Sequence, residues 1–346
     1  MTKRWTRGLP VLGALLVWSA AILPAPAAHA QQLLIESFTH GAVSNPAAWV
    51  SGGSGATISG WPGQSCLSAG DQTSQTPIAG CGLDPADGDG SGALRLTAAQ
   101  GSSAGFALYN KALPTTGGLD ITFDQAQYGG SGADGISFFL VDGSADLTEP
   151  GAQGGGLGYT AGNDGGGNYS DGVTHGLLAV GIDKWGNFSA PTSSGSGCAA
   201  GTGSGSQGPG QTPNVVSIRG EGNGTVGYCW LANSADLGTT LSGVDRTKST
   251  ALVHIVIDPD TVVTRHITVS LNGTQVIQIP ITQALLDATS FKFGFAGSTG
   301  AVTDIHEVWN LSINSVIPVP SSTTTTSATT TTTAAEAVET TPAFTG

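Results

Sequence analysis

Across residues 31–316, short apolar runs alternate with turns rich in Gly, Ser, Asn and Asp. In the run 252–258 (LVHIVID), Val253, Ile255 and Ile257 alternate with Leu252, His254 and Val256. That period of two marks a strand with one face turned inward. Comparable runs predict strands over 119–126, 136–141, 177–183 and 215–219, and then over 262–271, 274–280, 291–295 and 304–316. The stretch 282–289 (TQALLDAT) is the one that reads as helical. Many short strands without intervening helices predict an all-β fold, an antiparallel β-sandwich or barrel, with one large domain over residues 31–318.

Both ends of the chain depart from this pattern. Lys3, Arg4 and Arg7 precede an apolar stretch over 9–23, and Ala28-His29-Ala30 supplies a small–x–small cleavage site. Residues 1–30 therefore read as a secretory signal peptide, and the apolar part is short for a membrane span of about 20 residues. After cleavage no membrane insertion is expected. Residues 319–346 are Thr-rich and nearly devoid of large apolar side chains, the composition of a disordered stalk. The final Pro-Ala-Phe-Thr-Gly distantly resembles a sortase-type signal without its apolar segment and basic end, so cell-surface attachment is a secondary expectation beside secretion.

Composition narrows the partners. The chain has 11 Lys+Arg against 24 Asp+Glu, and the three leader residues account for part of the basic total. Such a surface repels phosphate backbones, which argues against nucleic acid. Cys66, Cys81, Cys198 and Cys229 form an even set in an exported chain, which predicts two disulfides. Three connectivities are open, of which nearest-neighbour pairing, Cys66–Cys81 and Cys198–Cys229, is the expectation. There is no C-x-x-C pair to suggest zinc. Glycine is concentrated between Gly129 and Gly227, where 29 of the 54 fall, so long loops punctuate the middle of the chain. Loops on a rigid scaffold are the usual place for binding residues.

Four segments in order carry a resemblance. They are Gly132-Ala133-Asp134-Gly135 leading into ISFFL, Gly154-Gly155-Gly156-Leu157-Gly158, the run 178–187 (LAVGIDKWGN), and the run 293–300 (FGFAGSTG) continuing to Ile305-His306-Glu307. The series resembles the legume-type (L-type), concanavalin A-like lectins and their bacterial secreted relatives. The resemblance implies a jelly-roll β-sandwich that binds glycans or glycoconjugates without catalysis. It also implies a cis bond between Ala133 and Asp134.

The chemistry of these residues suits a neutral sugar, which offers neighbouring hydroxyls and one apolar ring face. Asp134 can accept two hydroxyl protons, and Asn187 brings an amide donor. Gly155 has no side chain to keep a hydroxyl from its N–H, and Trp185 can stack on the ring. Thr299, Gly300 and Ala301 would close the rim.

The resemblance also implies calcium (Ca2+) held by Asp183 and Asn187, only two of the 6–8 oxygen ligands calcium takes. The family's transition-metal Glu, two residues before that Asp, is Gly181 here, so the second metal site is expected to be absent. The run 87–92 (DGDGSG) begins like an EF-hand loop, but Ala98 stands where its bidentate Glu would be, and it reads as a turn. Glycosidases of the same fold need two carboxylates flanking the bond. The E-x-D-x-x-E pattern is broken by Gly181 and Gly186, and Glu36, Glu149, Glu221 and Glu307 are scattered. The rivals to a lectin are thus a non-binding structural module of a surface protein and, less favoured by these residues, a glycoside hydrolase.

Overall fold

The computed structural model describes residues 30–317 except 59–60, 72–76, 84–85 and 164–168. The leader expected over 1–30, Ala30 apart, and the tail expected over 319–346 lie outside the described residues.

Two sheets enclose the core. The first runs, in order across it, through Thr274–Pro280, His266–Leu271, Ala251–Ile257, Leu119–Tyr128, Ile305–Asn314, Leu94–Thr97, Cys66–Asp71 and Ala79–Gly82. The second contains Gly176–Asp183, Gly135–Asp142, Ser290–Thr299, Ser103–Pro114 and Trp49–Ser54 in that order. Val215–Arg219 also pairs with Gly176–Asp183. Among the described strands pairing is antiparallel apart from Cys66–Asp71 with Ala79–Gly82, which is parallel. The architecture is an all-β, antiparallel jelly-roll sandwich.

Alternation along the strands fills two layers of core. Ile121 and Phe123 from the first sheet meet Phe138, Leu140, Phe293 and Phe295 from the second. Phe123 contacts Phe295 edge-on, with ring centroids 5.0 Å apart. Successive residues of a strand point to opposite faces. Phe139 and Val141 therefore face away from that core, and they pack with Leu147, Leu157, Tyr159, Phe188 and Tyr228 from the long loops. The second sheet is covered on both faces, which is why ISFFLV, Ser137 apart, and LLAVGI are apolar throughout rather than alternating. The loops that cover it carry the candidate site.

Several boundaries differ from the sequence reading. The strand expected over 262–271 starts only at His266. Asp258 accepts the His266 N–H on its carboxylate at 2.9 Å and the Arg265 Nε–H on its carbonyl at 3.0 Å, which makes the Val262–Val263 stretch a turn. The expected helix is Gln283–Asp287. A second, single-turn helix, Arg246–Ser249, was not expected; it is capped by Asp245, whose carboxylate accepts the Lys248 N–H. Strands over the first third of the chain, the 12-residue Ser103–Pro114 among them, were not identified from the sequence. Cys66 pairs with Cys81 and Cys198 with Cys229. No described helix is long and apolar enough to cross a membrane.

Candidate functional site

Gly135–Asp142 lies between Gly176–Asp183 and Ser290–Thr299, antiparallel to both. The start of this central strand therefore sits beside the ends of its two neighbours, with Gly135 opposite both Asp183 and Ser298. Asp134 precedes the central strand, Trp185 and Asn187 follow one neighbour, and Gly300 follows the other. A fourth segment folds over this edge. Ser137 Oγ–H donates to the Leu157 carbonyl at 2.6 Å and Ser298 Oγ–H to the Gly154 carbonyl at 2.9 Å, which fastens the glycine loop to the sheet.

Together these segments enclose a cleft of about 470 Å³ lined by Asp134, Gly154, Gly155, Trp185, Asn187, Thr192, Ser193, Gly300, Ala301 and Val302. Six of the seven expected ligand-contacting residues, Asp134, Gly155, Trp185, Asn187, Gly300 and Ala301, thus meet in one place. Thr299 is the seventh, and it is placed beneath the rim. Its hydroxyl lies 2.5 Å from the Gln100 carbonyl, to which it donates, and it accepts the Ser103 N–H at 3.1 Å. Gly154 belongs to the glycine segment read from the sequence, whereas Thr192, Ser193 and Val302 were not picked out; no local pattern separates them from other loop residues.

Asp134 is 6% exposed, and its peptide bond to Ala133 is cis. Its N–H donates to the Ser298 carbonyl at 2.8 Å, and its side chain receives one long bond from Ser298 Oγ at 3.4 Å. Most of the acceptor capacity of the carboxylate is therefore unused by the described residues. Burial pushes its pKa from 3.8 up to about 6. Gly155 belongs to the single 3₁₀ turn Gly154–Gly156, whose first N–H groups have no acceptor within the turn. A β-carbon at Gly155 would stand 2.7 Å from Asn187 Cβ, so the two segments touch backbone to side chain. The Asn187 side-chain amide has no hydrogen bond to the described residues, whereas its carbonyl accepts from Ser193 Oγ and the Ala190 N–H. Trp185 is 36% exposed at the cleft edge.

The residues do not provide the expected calcium shell. Asp183 is fully buried and does not line the cleft. One of its carboxylate oxygens accepts the Gly186 N–H at 2.7 Å, the other the Phe188 N–H at 2.8 Å. Burial pushes its pKa up to about 8. Both of its oxygens are thus taken by N–H donors, and among the described residues no group of three or more His, Cys, Asp or Glu could hold a metal ion. At position 181 a β-carbon would come within 2.5 Å of the Phe188 ring, so the space for an acidic side chain there is filled by an aromatic one. Asp87, in the run that begins like an EF-hand loop, is ion-paired to Arg246 at 2.7 Å. Glu307 belongs to the first sheet, where its carboxylate is bound by Arg95, Arg246 and Tyr128.

No protein-family model matches the sequence, and a search of curated proteins found no match. Among solved structures the chain is similar to the exoplasmic/lumenal domain of VIP36 in its Ca2+/Man2-bound form (15% identity, 82% of this chain and 87% of that one, TM-score 0.46). It is also similar to the metal-free lectin I-B4 of Griffonia simplicifolia (18% identity, 81% and 99% covered, TM-score 0.44). A third is peanut lectin with a 9mer peptide (15% identity, 83% and 99% covered, TM-score 0.44).

Proposed function

We propose that the chain is a secreted, non-catalytic, L-type-lectin-like protein that binds glycans in the cleft over Asp134. The observation that carries this reading is the convergence of an under-used buried carboxylate, an unengaged amide, a glycine turn and an exposed indole in one cleft. Asp134 would accept two sugar hydroxyls, Asn187 and Gly155 would donate, and Trp185 would cover the apolar ring face. Gly300 and Ala301 would form the rim, with Thr299 bracing it from below. Among the residues lining the cleft Asp134 is the one carboxylate, and a glycosidase needs two, which favours recognition over hydrolysis.

A few net hydrogen bonds at about 1 kcal/mol each and one stacked ring must offset the cost of association. Single-site affinity is then weak, on the order of 1 mM, and useful adhesion comes from many copies. Export follows from the leader and suits the two disulfides; the Thr-rich tail would act as a stalk. A glycan array with the purified mature domain tests the reading. Binding of a defined sugar class, lost on Asn187→Ala, supports it; silence from the folded protein points to a structural module instead.

A further inference from the structure

Arg219 ends the strand Val215–Arg219 and is 0% exposed, yet its guanidinium bonds to no carboxylate among the described residues. Nε–H donates to the Phe188 carbonyl at 2.5 Å. Nη1 donates to the Tyr228 carbonyl at 2.7 Å and to Ser194 Oγ at 2.8 Å. Nη2 donates to the carbonyls of Ala190 at 2.7 Å and Gln207 at 3.3 Å. A guanidinium has five N–H donors, and each has an acceptor here. The cation also stands 5.6 Å over the Phe188 ring, the ring that occupies the space beside Gly181.

An inward-facing set of oxygens around a positive charge is how proteins hold a hard metal ion. In this chain the charge is covalently attached. The loop that bears Asn187 is fixed by it from one side and by Asp183 from the other. Asp183 takes the N–H groups of Gly186 and Phe188, and Arg219 takes the carbonyls of Phe188 and Ala190. Asn187 lies between anchored residues, so its amide is held at the cleft by bonds that need nothing from solvent. The Cys198–Cys229 disulfide ties down the remaining contributors, with Cys198 between Ser194 and Gln207 and Cys229 next to Tyr228.

We infer that Arg219 is a built-in cation that positions the Asn187 loop for ligand, in the role a divalent metal would otherwise fill, so that the cleft works without metal. Arg219 is a positioning residue; it does not line the cleft. The affinity readout rests on the carbohydrate reading above, whereas the loop-order readout does not.

The test uses the mature protein and two variants. Arg219→Lys keeps the charge and loses the planar fork; Arg219→Met loses both. Amide hydrogen exchange is followed over 186–194 and over the sheet strands, in EDTA and again in excess calcium. Wild type is expected to show the same loop protection and the same glycan binding in both conditions. Arg219→Lys is expected to speed exchange over 186–194 by about tenfold or more while the strands keep their protection, with a parallel loss of affinity. Calcium that slows loop exchange, binding that EDTA abolishes, or an Arg219→Lys loop as protected as wild type would each overturn the inference. If neither variant folds, the wild-type comparison with and without calcium decides it alone. If wild type binds no glycan, the functional reading fails while loop exchange still decides the role of Arg219.

Discussion

The Trp185 main-chain N–H donates to the main-chain carbonyl of Asp134 at 2.9 Å, coupling the exposed indole to the buried carboxylate across the ends of two neighbouring strands. In the proposed site one residue would bring the acceptor a sugar edge needs and the other the surface a sugar ring needs. Their separation is set by a backbone bond between elements that the second sheet already holds in register. The proposed recognition and the sheet geometry would thus be linked at one point.

The pH dependence follows from burial. The folded-state pKa of Asp134 is raised to about 6 from 3.8, so the folded protein holds this proton more tightly than the unfolded chain does. Its contribution to stability is greatest below the unfolded value and is lost as pH rises through about 6. Binding depends on the ionised form and runs the other way. Between about pH 8 and about pH 5, glycan affinity should fall about tenfold while the contribution of this group to stability rises. Parallel titrations and denaturant midpoints across that range check both signs; affinity that is flat through about pH 6 would count against Asp134 as the acceptor.

Gly155→Ala tests the contact between the glycine turn and Asn187. The new β-carbon, 2.7 Å from Asn187 Cβ, has to displace that side chain or its own loop. A stability cost of about 1–3 kcal/mol is expected, with at least a tenfold loss of affinity. Urea denaturation and glycan titration measure the two effects, and full affinity in a stable variant would contradict the geometry.

Gly181→Glu places an acid where the lectin resemblance has its transition-metal ligand. Phe188 occupies that space, so the variant should be destabilised by about 3 kcal/mol or more and should gain nothing from manganese or zinc. Metal-dependent recovery of its thermal midpoint would show that the site can be rebuilt.

Strands were legible where one face or both pack against the core with β-branched and aromatic residues. Val215–Arg219 and Thr274–Pro280 match the sequence reading at both ends. Trp49–Ser54 (WVSGGS) and Cys66–Asp71 (CLSAGD) were not legible, because close backbone approach there selects Gly, Ser and Ala. At Gly53 and Gly80, for example, a β-carbon would lie 2.3 and 2.1 Å from backbone oxygens. Val262 and Val263 misled in the opposite direction, as apolar residues at a turn whose course is set by Asp258. Asp134, Gly155, Trp185, Asn187 and Gly300 could be selected by their chemistry and the order of their segments. The five acceptors of Arg219 could not, because four of them are carbonyls, those of Phe188, Ala190, Gln207 and Tyr228, and a backbone oxygen leaves no trace in residue type.

The central claim is that the Asp134 carboxylate is the acceptor that makes the cleft a sugar site. Calorimetric titration of the array-selected glycan into wild type and Asp134→Asn, with the stability of both measured at the same pH, tests it most directly. The account predicts wild-type affinity on the order of 1 mM. It predicts no detectable binding by Asp134→Asn, whose stability at neutral pH should equal or exceed that of wild type by about 1–2 kcal/mol because a buried charge has been removed. Unchanged glycan binding by a folded Asp134→Asn would contradict it.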